Sequence, residues 1–351
     1  MNLKELSELL GLSQTTVSRA LNGYPEVSEQ TRARVVEAAE ANNYRPNSRA
    51  KGLATGRAMA IGHVIPASSQ HEIVNPIFGD FIAGAGKAYA AAGYDMLLSV
   101  VSDKDEATAY RELQARGAVD GVLLHAPRRE DPRIELLKQL KLPFVVHGRS
   151  DDASNSYSWV DVNNTEAFHE ATRYLISLGH QRIALINGEE RMGFAARRRA
   201  GFETALGEHG LFARDDQTFS GEMTEQLGYE STASMLTQVE PPTAVLCASL
   251  LIAYGAKRAI EERRLEVGRD VSLVTFDDAM SYMRNDGEVP MFTATRSSVH
   301  EAGQIAGEML LGLIANPDRL TQQKLLKATL VIGQSTGPLL DDGAPLKVRL
   351  G

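Results

Sequence analysis

Three polar side chains near the N-terminus have the spacing of one outward helix face. Gln14, Thr15 and Arg19 lie on one side of the segment LSQTTVSRALNG, and its apolar residues follow the other side. Gln and Thr side chains offer donors and acceptors to base edges, and an arginine can form a bidentate pair with guanine. The same face carries Ser13, Ser18 and Asn22. This pattern favours a helix that reads the major groove of DNA, with a small surface hairpin as the alternative.

A second group of polar residues follows apolar segments farther along the chain. If those segments are parallel strands, their carboxyl ends meet at one edge of a sheet, where such folds bind ligands. Hydroxyl, amide, imidazole and carboxylate groups at that edge suit a small polar molecule. The candidates from position alone are Ser69, Asn75, Phe78, His125, His147, Arg149, Asn187, Ser249, Phe276 and Asp277.

Three amphipathic segments are expected to position the first group. Leu3, Leu6 and Leu10 give the i, i+3, i+7 spacing of a helix, and Gly11 ends it where a tight turn needs a residue without Cβ. Ser13 can cap the second helix, and Ser28 opens a third helix that ends near 42–43. Two short helices joined by a glycine turn have the geometry of a helix-turn-helix.

The segment NYRPNSRAKGLATGR follows this head. Pro46 ends the preceding structure, and Asn47 or Ser48 can cap a very short helix that reaches Leu53. About two turns of helix are marginal alone, and Gly52 lowers the propensity further. We therefore expect a linker that is disordered until a partner orders it.

Charge is distributed unevenly along the 351 residues. The net charge is -8 overall, yet residues 1–57 carry eight basic and six acidic side chains, and residues 41–57 carry no acidic side chain. A basic end on an acidic body fits phosphate contacts concentrated at one pole.

From residue 58 onward, apolar strands alternate with amphipathic helices. The pattern predicts four strands at 60–66, 95–101, 119–125 and 143–147, and a second series at 182–187, 217–221, 243–248 and 270–276. Near-continuous apolar strands indicate parallel sheets that are covered on both faces. We interpret the body as two Rossmann-like α/β subdomains around a cleft, with a helix at about 299–315 and a strand at about 325–334 crossing back to complete both sheets.

Several function classes lack their sequence signatures. There is no GxSxG, no Walker P-loop and no GxGxxG after a strand, and the histidines are scattered over separate segments. We therefore expect no enzyme activity, no cofactor and no metal site.

No apolar run is long enough for a membrane span or a secretory signal, so we expect a cytoplasmic protein. Cys247 lies in the apolar run TAVLCA and is expected to be a buried, inert thiol.

With these features together, the chain resembles the lactose-repressor (LacI/GalR) family of bacterial transcription regulators. The resemblance runs from residue 1 to about 338. It rests on the order and spacing of LSQTTVSRALNG, VSEQTRARVVEAAEANNYRPN, GLATGR, DGVLL, VDVNN, LGHQRIALING, RRAGF and VSLVTFDD. It implies a periplasmic-binding-protein-like body, and a homodimer whose recognition helices enter successive major grooves of a pseudo-palindromic operator.

The family's base-reading positions match Gln14, Thr15 and Arg19. Leu53 matches a leucine that is wedged into the minor groove, although it could be a simple packing residue, and Asn47 and Arg49 match positions near the DNA backbone. The full set of implied DNA contacts is Ser13, Gln14, Thr15, Ser18, Arg19, Asn22, Tyr44, Asn47, Arg49 and Leu53.

In the body, the resemblance implies that Arg198 and Asp277 bind the effector, and Met223 joins the candidates given above. Such a pair suits vicinal sugar hydroxyls. Asp277 could instead cap the short helix after it. The implied domains are a head at 1–46, a linker at 47–57, an effector-binding domain at 58–338 and a tail at 339–351. The first subdomain takes 58–161 and 291–322, and the second takes 162–290 and 323–338.

The chain departs from the family pattern at Ser249-Leu250, Gly148, Ser297 and Val299. Compared with the residues that are usual in the family, these residues bring less negative charge and less bulk into the cleft. Two alternatives for the effector therefore remain open: it is larger than a monosaccharide, or it carries its own negative charge. The expected function is a repressor of carbohydrate transport or catabolism genes that a sugar such as a disaccharide releases from DNA. The alternatives are corepression, an enzyme with this body and a transport binding protein.

The tail has no leucine heptads, so we expect dimers and no tetramerisation helix.

Overall fold

The computed structural model describes residues 1–21, 23–44, 56–66, 75–102, 104–151 and 156–339. Five of the expected contact residues lie outside these ranges, as do the short linker helix and nearly all of the tail. The five are Asn22, Asn47, Arg49, Leu53 and Ser69.

The N-terminal head is built from α1 (Leu3–Leu10), α2 (Gln14–Leu21) and α3 (Glu29–Ala41). Gly11 ends α1 with a φ of 65°, a left-handed conformation that suits glycine and turns the chain into α2. Ser13 and Ser28 cap α2 and α3, each side chain accepting from the backbone N–H three residues ahead. The three helices enclose a small core formed by Leu6, Val17, Ala20, Val27, Val35 and Ala39.

A first α/β unit follows, and we call it the first subdomain. Its strands are β1 (Ala60–Pro66), β2 (Asp95–Val101), β3 (Gly121–His125), β4 (Phe144–His147) and β5 (Ser158–Val162). Between them lie α4 (Pro76–Ala91), α5 (Glu106–Ala115) and α6 (Pro132–Gln139). The central strands β1 and β3 are buried on both faces, which explains their nearly continuous apolar sequence.

A second unit repeats this design, and we call it the second subdomain. Its strands are β6 (Ile183–Asn187), β7 (Thr218–Ser220), β8 (Ala244–Cys247), β9 (Ser272–Asp277) and β10 (Thr293–Arg296). Its helices are α7 (Asn164–Ser177), α8 (Gly193–Glu208), α9 (Glu225–Met235) and α10 (Leu250–Glu262). Cys247 is fully buried here as expected, and burial raises the pKa of its thiol.

The chain ends with α11 (Val299–Ala315), β11 (Gln323–Leu326) and β12 (Thr329–Val331). The first sheet has the order β11-β5-β4-β3-β1-β2, and the second has the matching order β12-β10-β9-β8-β6-β7. All pairs are parallel except β10 with β12. Both sheets therefore direct the carboxyl ends of their parallel strands to one edge.

The crossings between the sheets differ from the expected boundaries. β10, at 293–296, belongs to the second sheet although we assigned 291–322 to the first subdomain, and β11 belongs to the first sheet although we assigned 323–338 to the second. The single expected strand at 325–334 is two strands, one for each sheet. The reason is that residues 327–328 separate a parallel pairing with β5 from an antiparallel pairing with β10.

α4 and α11 pack unusually closely in the first subdomain. A Cβ on Gly303 would lie 2.2 Å from the carbonyl oxygen of Phe81, so only glycine permits this approach. The N-terminal turns of both helices point toward the strand ends, and both contribute to the cavity described next.

Candidate functional site

The outward face of α2 carries the residues expected to read DNA. Ser13, Gln14, Thr15 and Arg19 are exposed, while Val17 and Ala20 are buried in the head core. Ser18 is half-buried on the same helix. Tyr44 is half-buried and packs against the head core, and its burial raises the pKa of its hydroxyl. The structure thus presents Gln14, Thr15 and Arg19 together, with donors and acceptors free of the head's own packing.

A cavity of about 160 Å³ lies where the carboxyl ends of the two sheets face each other. Both subdomains supply its walls. Seven of the expected residues line it: Asn75, Phe78, His125, His147, Arg198, Met223 and Phe276. Three departures from the family pattern, Gly148, Ser297 and Val299, line it as well.

Arg198 on α8 is a buried charged group of the cavity that two hydrogen bonds hold in place. Its side chain is 6% exposed, Nε donates to Asn164 Oδ1 at 2.8 Å, and Nη1 donates to the carbonyl of Ala248 at 2.6 Å. The guanidinium carbon lies 4.1 Å from the ring centre of Phe276 and 5.0 Å from that of Phe194. Burial lowers the pKa of Arg198 to about 10, so the group stays cationic at neutral pH.

The carboxylate beside Arg198 is Asp278, whereas we expected Asp277. Asp278 lines the cavity, and burial raises its pKa to about 7 while the charge of Arg198 opposes that rise. Asp277 instead accepts from the backbone N–H of Ala279 at 2.8 Å and pairs with Arg296 at 3.4 Å. The capping alternative is wrong, because residues 278–292 form no helix and the hydrogen bond from Ala279 only closes a turn. Successive side chains at the end of a strand point to opposite sides, so Asp278 and not Asp277 reaches the cavity.

Aromatic rings and two histidines form the opposite wall in the first subdomain. Phe78 and Phe81 meet the ring of His125 edge-on, each at 5.0 Å between centres, and Phe81 stacks on His147 at 4.1 Å. His125 and His147 lie opposite each other in the register of β3 and β4, which explains why both reach the same edge. Burial lowers the pKa of His147 to about 4.

Two other expected residues have structural partners and do not line the cavity. Ser249 is fully buried and caps α10, its hydroxyl accepting from the N–H of Ile252 at 3.3 Å. Arg149 donates through Nε to Asp161 at 2.9 Å, and Arg197 reaches the same carboxylate at 3.3 Å. Asp161, itself a lining residue, is thus held by two arginines.

Hydrogen bonds join the two subdomains at one rim of the cavity. The N–H of Gly193 donates to the carbonyl of Pro127, and the N–H of Arg129 donates to the carbonyl of Arg191, both at 3.0 Å. A Cβ on Gly193 would lie 2.4 Å from the carbonyl oxygen of Arg149, so glycine is required for this approach. At the other rim, the carboxylate of Asp80 accepts from Ser281. The cleft is therefore closed in this structure.

Several lining residues were absent from the expected set. They include Phe81, Asp161, Asn164, Phe194 and Asp278. The motifs VDVNN and VSLVTFDD contain the three polar ones, Asp161, Asn164 and Asp278, so each polar residue of those motifs could have been taken as a candidate from the sequence. Phe81 and Phe194 lie within amphipathic helices, where an inward aromatic residue looks like ordinary core.

Within the ranges that the structure describes, no cluster of three or more histidine, cysteine or acidic side chains could hold a metal ion. Every helix described is too short or too polar to span a lipid bilayer.

Comparisons with known proteins agree with this architecture. Residues 2–47 match the family described as bacterial regulatory proteins, lacI family, and residues 172–336 match the family described as periplasmic binding protein-like domain. The chain is 47% identical to the HTH-type transcriptional regulator AglR of Rhizobium meliloti (strain 1021), over 97% of this chain and 96% of that protein. It is 34% identical to the HTH-type transcriptional regulator RafR of Escherichia coli, over 79% of this chain and 82% of that protein.

Two solved structures cover nearly the whole fold. The Lac repressor dimer bound to operator and the anti-inducer ONPF superposes with a TM-score of 0.78 at 27% identity, over 96% of this chain and 99% of that chain. A complex of the transcriptional regulator CelR with cellobiose gives a TM-score of 0.71 at 26% identity, over 95% and 99%. From the extent of these similarities, this chain belongs to the LacI family of bacterial transcriptional regulators and is not an enzyme.

Proposed function

We propose that this regulator represses genes of carbohydrate transport or catabolism, and that a sugar in the cavity, specifically a disaccharide, releases it from its operator. The protein acts in the cytoplasm, where its DNA is. The observation that carries this proposal is the arrangement of Arg198 and Asp278 in a cleft between two subdomains.

Arg198 has donors left for a ligand. Nε and Nη1 are used by Asn164 and Ala248, and no acceptor among the described residues receives a hydrogen bond from Nη2. Asp278 supplies acceptor oxygens beside it. Adjacent hydroxyls of a sugar both donate and accept, so one can accept from Arg198 while its neighbour donates to Asp278.

The aromatic wall suits the rest of a sugar. The rings of Phe78, Phe81 and Phe194 line the cavity and can cover the C–H faces of a pyranose, while His125 and His147 add polar atoms. The similarity to a regulator solved in complex with cellobiose, a disaccharide, supports this class of effector. Asp161 is paired with Arg149 and Arg197, and Asp278 lies beside Arg198, so the charges around the cavity compensate one another, which favours a neutral effector over a charged one.

α11 offers a physical link from the cavity to the DNA-binding head. Val299 and Ala302 in its first turn line the cavity, and the carbonyl of Ile314 near its other end accepts from Nη2 of Arg57 at 3.4 Å. Fifteen residues of helix span about 22 Å. Arg57 is the last residue of the linker, so a sugar that moves α11 would change the position of the two linkers in a dimer and with it the affinity for the operator.

β2 supplies a surface for that dimer. It is an edge strand of the first sheet, yet Leu97, Leu98 and Val100 are 36%, 44% and 52% exposed. An exposed apolar edge is covered in most proteins, and a second copy related by a two-fold axis can cover it with the same residues. Leu98→Lys should therefore convert dimers to monomers in analytical ultracentrifugation. Val239→Lys, at a side chain that is 97% exposed in the second subdomain, is the matched control and should stay dimeric.

The function is tested with the full-length protein and an operator selected from a pool of random DNA duplexes. Fluorescence anisotropy of the labelled operator is followed while maltose, trehalose, sucrose, cellobiose, lactose or melibiose is added. We expect one or more of these disaccharides to lower the operator affinity. A sugar that binds and strengthens DNA binding would instead identify a corepressor, and no response to any sugar would contradict the proposed effector class.

A further inference from the structure

A buried chain of three polar side chains leads from the core of the first subdomain to the cavity wall. The hydroxyl of Tyr89 on α4 lies 3.3 Å from Nε2 of His63, and Nδ1 of His63 lies 2.8 Å from Nε2 of His125. Tyr89 and His63 are almost fully buried, and His125 is 6% exposed. His63 is on β1 and His125 ends the neighbouring strand β3, so the sheet itself fixes the spacing of the two rings.

Both imidazoles are neutral at physiological pH. Burial lowers the pKa of His63 to about 4, and burial together with the neighbouring histidines holds the pKa of His125 well below its usual range. A neutral imidazole has one N–H donor and one bare acceptor nitrogen. Each ring in the chain must therefore receive a hydrogen bond on one side and donate one on the other.

The phenol of Tyr89 sets the direction of the hydrogen bonds between the three side chains. Burial raises the pKa of Tyr89, so its hydroxyl keeps its proton, and among the described residues His63 is its hydrogen-bond partner. If the phenol accepted from His63, its own proton would be buried without an acceptor, which is unfavourable. The phenol therefore donates to Nε2 of His63, Nδ1–H of His63 donates to Nε2 of His125, and the hydrogen of His125 is on Nδ1.

The last donor of this series of hydrogen bonds has no partner among the residues that the structure describes. Nδ1 of His125 is buried and makes no hydrogen bond to any described residue, although His125 lines the cavity. A buried donor without an acceptor is rare in native structures, and a ligand is one of its ordinary explanations.

We propose that Tyr89 and His63 are positioning residues that hold His125 in the Nδ1–H tautomer, so that His125 donates a hydrogen bond to an acceptor oxygen of the effector. This inference rests on the proposed function, because it assumes that the effector occupies the cavity. It adds a specificity rule: the effector must present a hydroxyl, ring or glycosidic oxygen to His125, and an ammonium group at that position is rejected.

The tautomer can be measured without any ligand. In the full-length protein labelled with ¹⁵N-histidine, long-range ¹H–¹⁵N spectra distinguish the nitrogen that carries hydrogen from the bare one, and the His125→Gln and His63→Gln variants assign the two rings. We expect hydrogen on Nδ1 of both His63 and His125. Hydrogen on Nε2 of His125 in the wild-type protein overturns the proposal.

Tyr89→Phe tests the positioning role. It removes the phenol donor with little change in shape, so both directions of the chain become populated and the Nδ1–H tautomer of His125 is no longer the sole form. The affinity for the disaccharide that the wild-type protein binds, measured by isothermal titration calorimetry, should fall about two- to fivefold as the competent fraction falls. If this variant changes neither the tautomer of His125 nor the affinity for the sugar, the positioning role of Tyr89 and His63 is contradicted.

Tyr110→Phe is the matched control. Tyr110 is also fully buried in the first subdomain, but its hydroxyl makes no hydrogen bond to the described residues and it belongs to the cluster on the other side of the sheet. This variant should leave both the His125 tautomer and the sugar affinity unchanged. If none of the six disaccharides binds the wild-type protein, the sugar-responsive function is contradicted. The tautomer spectrum still decides whether Tyr89 and His63 hold His125 in the Nδ1–H form.

Discussion

Asp80 of the first subdomain forms hydrogen bonds with Ser281 of the second subdomain, 201 positions later in the sequence. Its Oδ1 accepts from the hydroxyl of Ser281 at 2.7 Å, and its Oδ2 accepts from the backbone N–H of the same residue at 3.1 Å. Asp80 is on α4, two residues beyond Phe78 and one before Phe81 in the cavity wall. This contact therefore ties closure of the cleft to the helix that forms part of the proposed effector site.

Asp80→Ala should weaken sugar binding. Hydrogen bonds to a charged acceptor contribute about 1.5–3 kcal/mol, so losing this contact should cost at least about tenfold in affinity if the sugar binds the closed cleft. Ser281→Ala keeps the backbone N–H and should have a smaller effect than Asp80→Ala. Isothermal titration calorimetry with the responding disaccharide measures both, and equal wild-type affinity in both variants would show that the contact does not help to close the site.

Gly193→Ala should open the opposite rim. The new Cβ would approach the carbonyl oxygen of Arg149 to 2.4 Å, and two backbone segments would have to separate. We expect a larger radius of gyration in small-angle X-ray scattering and weaker sugar binding. Gly207→Ala lies on the same helix, where an added Cβ meets nothing within 4 Å, and it should stabilise the protein by about 0.5–1 kcal/mol without changing either measurement. Identical scattering from both variants would contradict the role of Gly193.

Asp278 should make stability depend on pH in a defined direction. Burial raises its pKa from 3.8 to about 7, so the folded chain retains a proton that the unfolded chain releases between those values. Its contribution to the free energy of unfolding is therefore greatest at the acid end of this window and falls as pH rises toward 7. The pKa of this carboxyl also depends on the charges of Asp277, Arg198 and Asp80. These three residues are present in both the wild-type and the Asp278→Asn protein, so the comparison isolates Asp278.

The measurement is urea unfolding of the wild-type and Asp278→Asn proteins from about pH 4 to about pH 8, a range that covers the interval between the two pKa values and extends above the higher one. The stability of the wild-type protein relative to the variant should decrease up to about pH 7 and then level off. A constant difference, or one that increases with pH, would show that the carboxyl is not held in its protonated form.

Arg19→Ala should reduce operator recognition while leaving the head folded. Arg19 is exposed on α2, and a bidentate contact of arginine with guanine contributes about 1–3 kcal/mol of discrimination. We expect about a ten- to hundredfold loss of affinity for the selected operator, and a smaller loss for a scrambled duplex. Arg34→Ala removes an equal charge from an exposed position on α3 and serves as the control. Equal losses in the two variants would mean that Arg19 contributes charge alone.

Regular, apolar elements were predictable from the sequence. The expected strands at 60–66 and 95–101 and the helix at 299–315 coincide with β1, β2 and α11. β5 and β10 were not expected as strands, because buried polar residues interrupt their apolar pattern. Thr293 in β10 is fully buried, yet its hydroxyl is paired with Thr336 at 2.7 Å, so tertiary hydrogen bonding permits a polar residue in a central strand.

Contacts between distant segments were not predictable in the same way. Asp277 and Asp278 are adjacent carboxylates, and only the direction in which the strand ends decides which one lines the cavity. The contact of Asp80 with Ser281 joins residues from different subdomains and leaves no local pattern. His63 likewise looks like an isolated polar residue in an apolar strand until the sheet brings it to His125.

The most direct test of the sugar-controlled switch is a titration of operator-bound protein with the responding disaccharide, in the wild-type, Arg198→Met and Arg199→Gln proteins. Arg199 is the neighbouring arginine on α8, and it forms ion pairs with Glu190 and Glu203. We expect all three proteins to bind the operator, and we expect the sugar to release the wild-type and Arg199→Gln proteins at similar concentrations. Arg198→Met should require about ten- to hundredfold more sugar, since a hydrogen-bonded charged group is lost. Release of Arg198→Met at the wild-type sugar concentration would contradict the claim that the cavity sugar controls DNA binding.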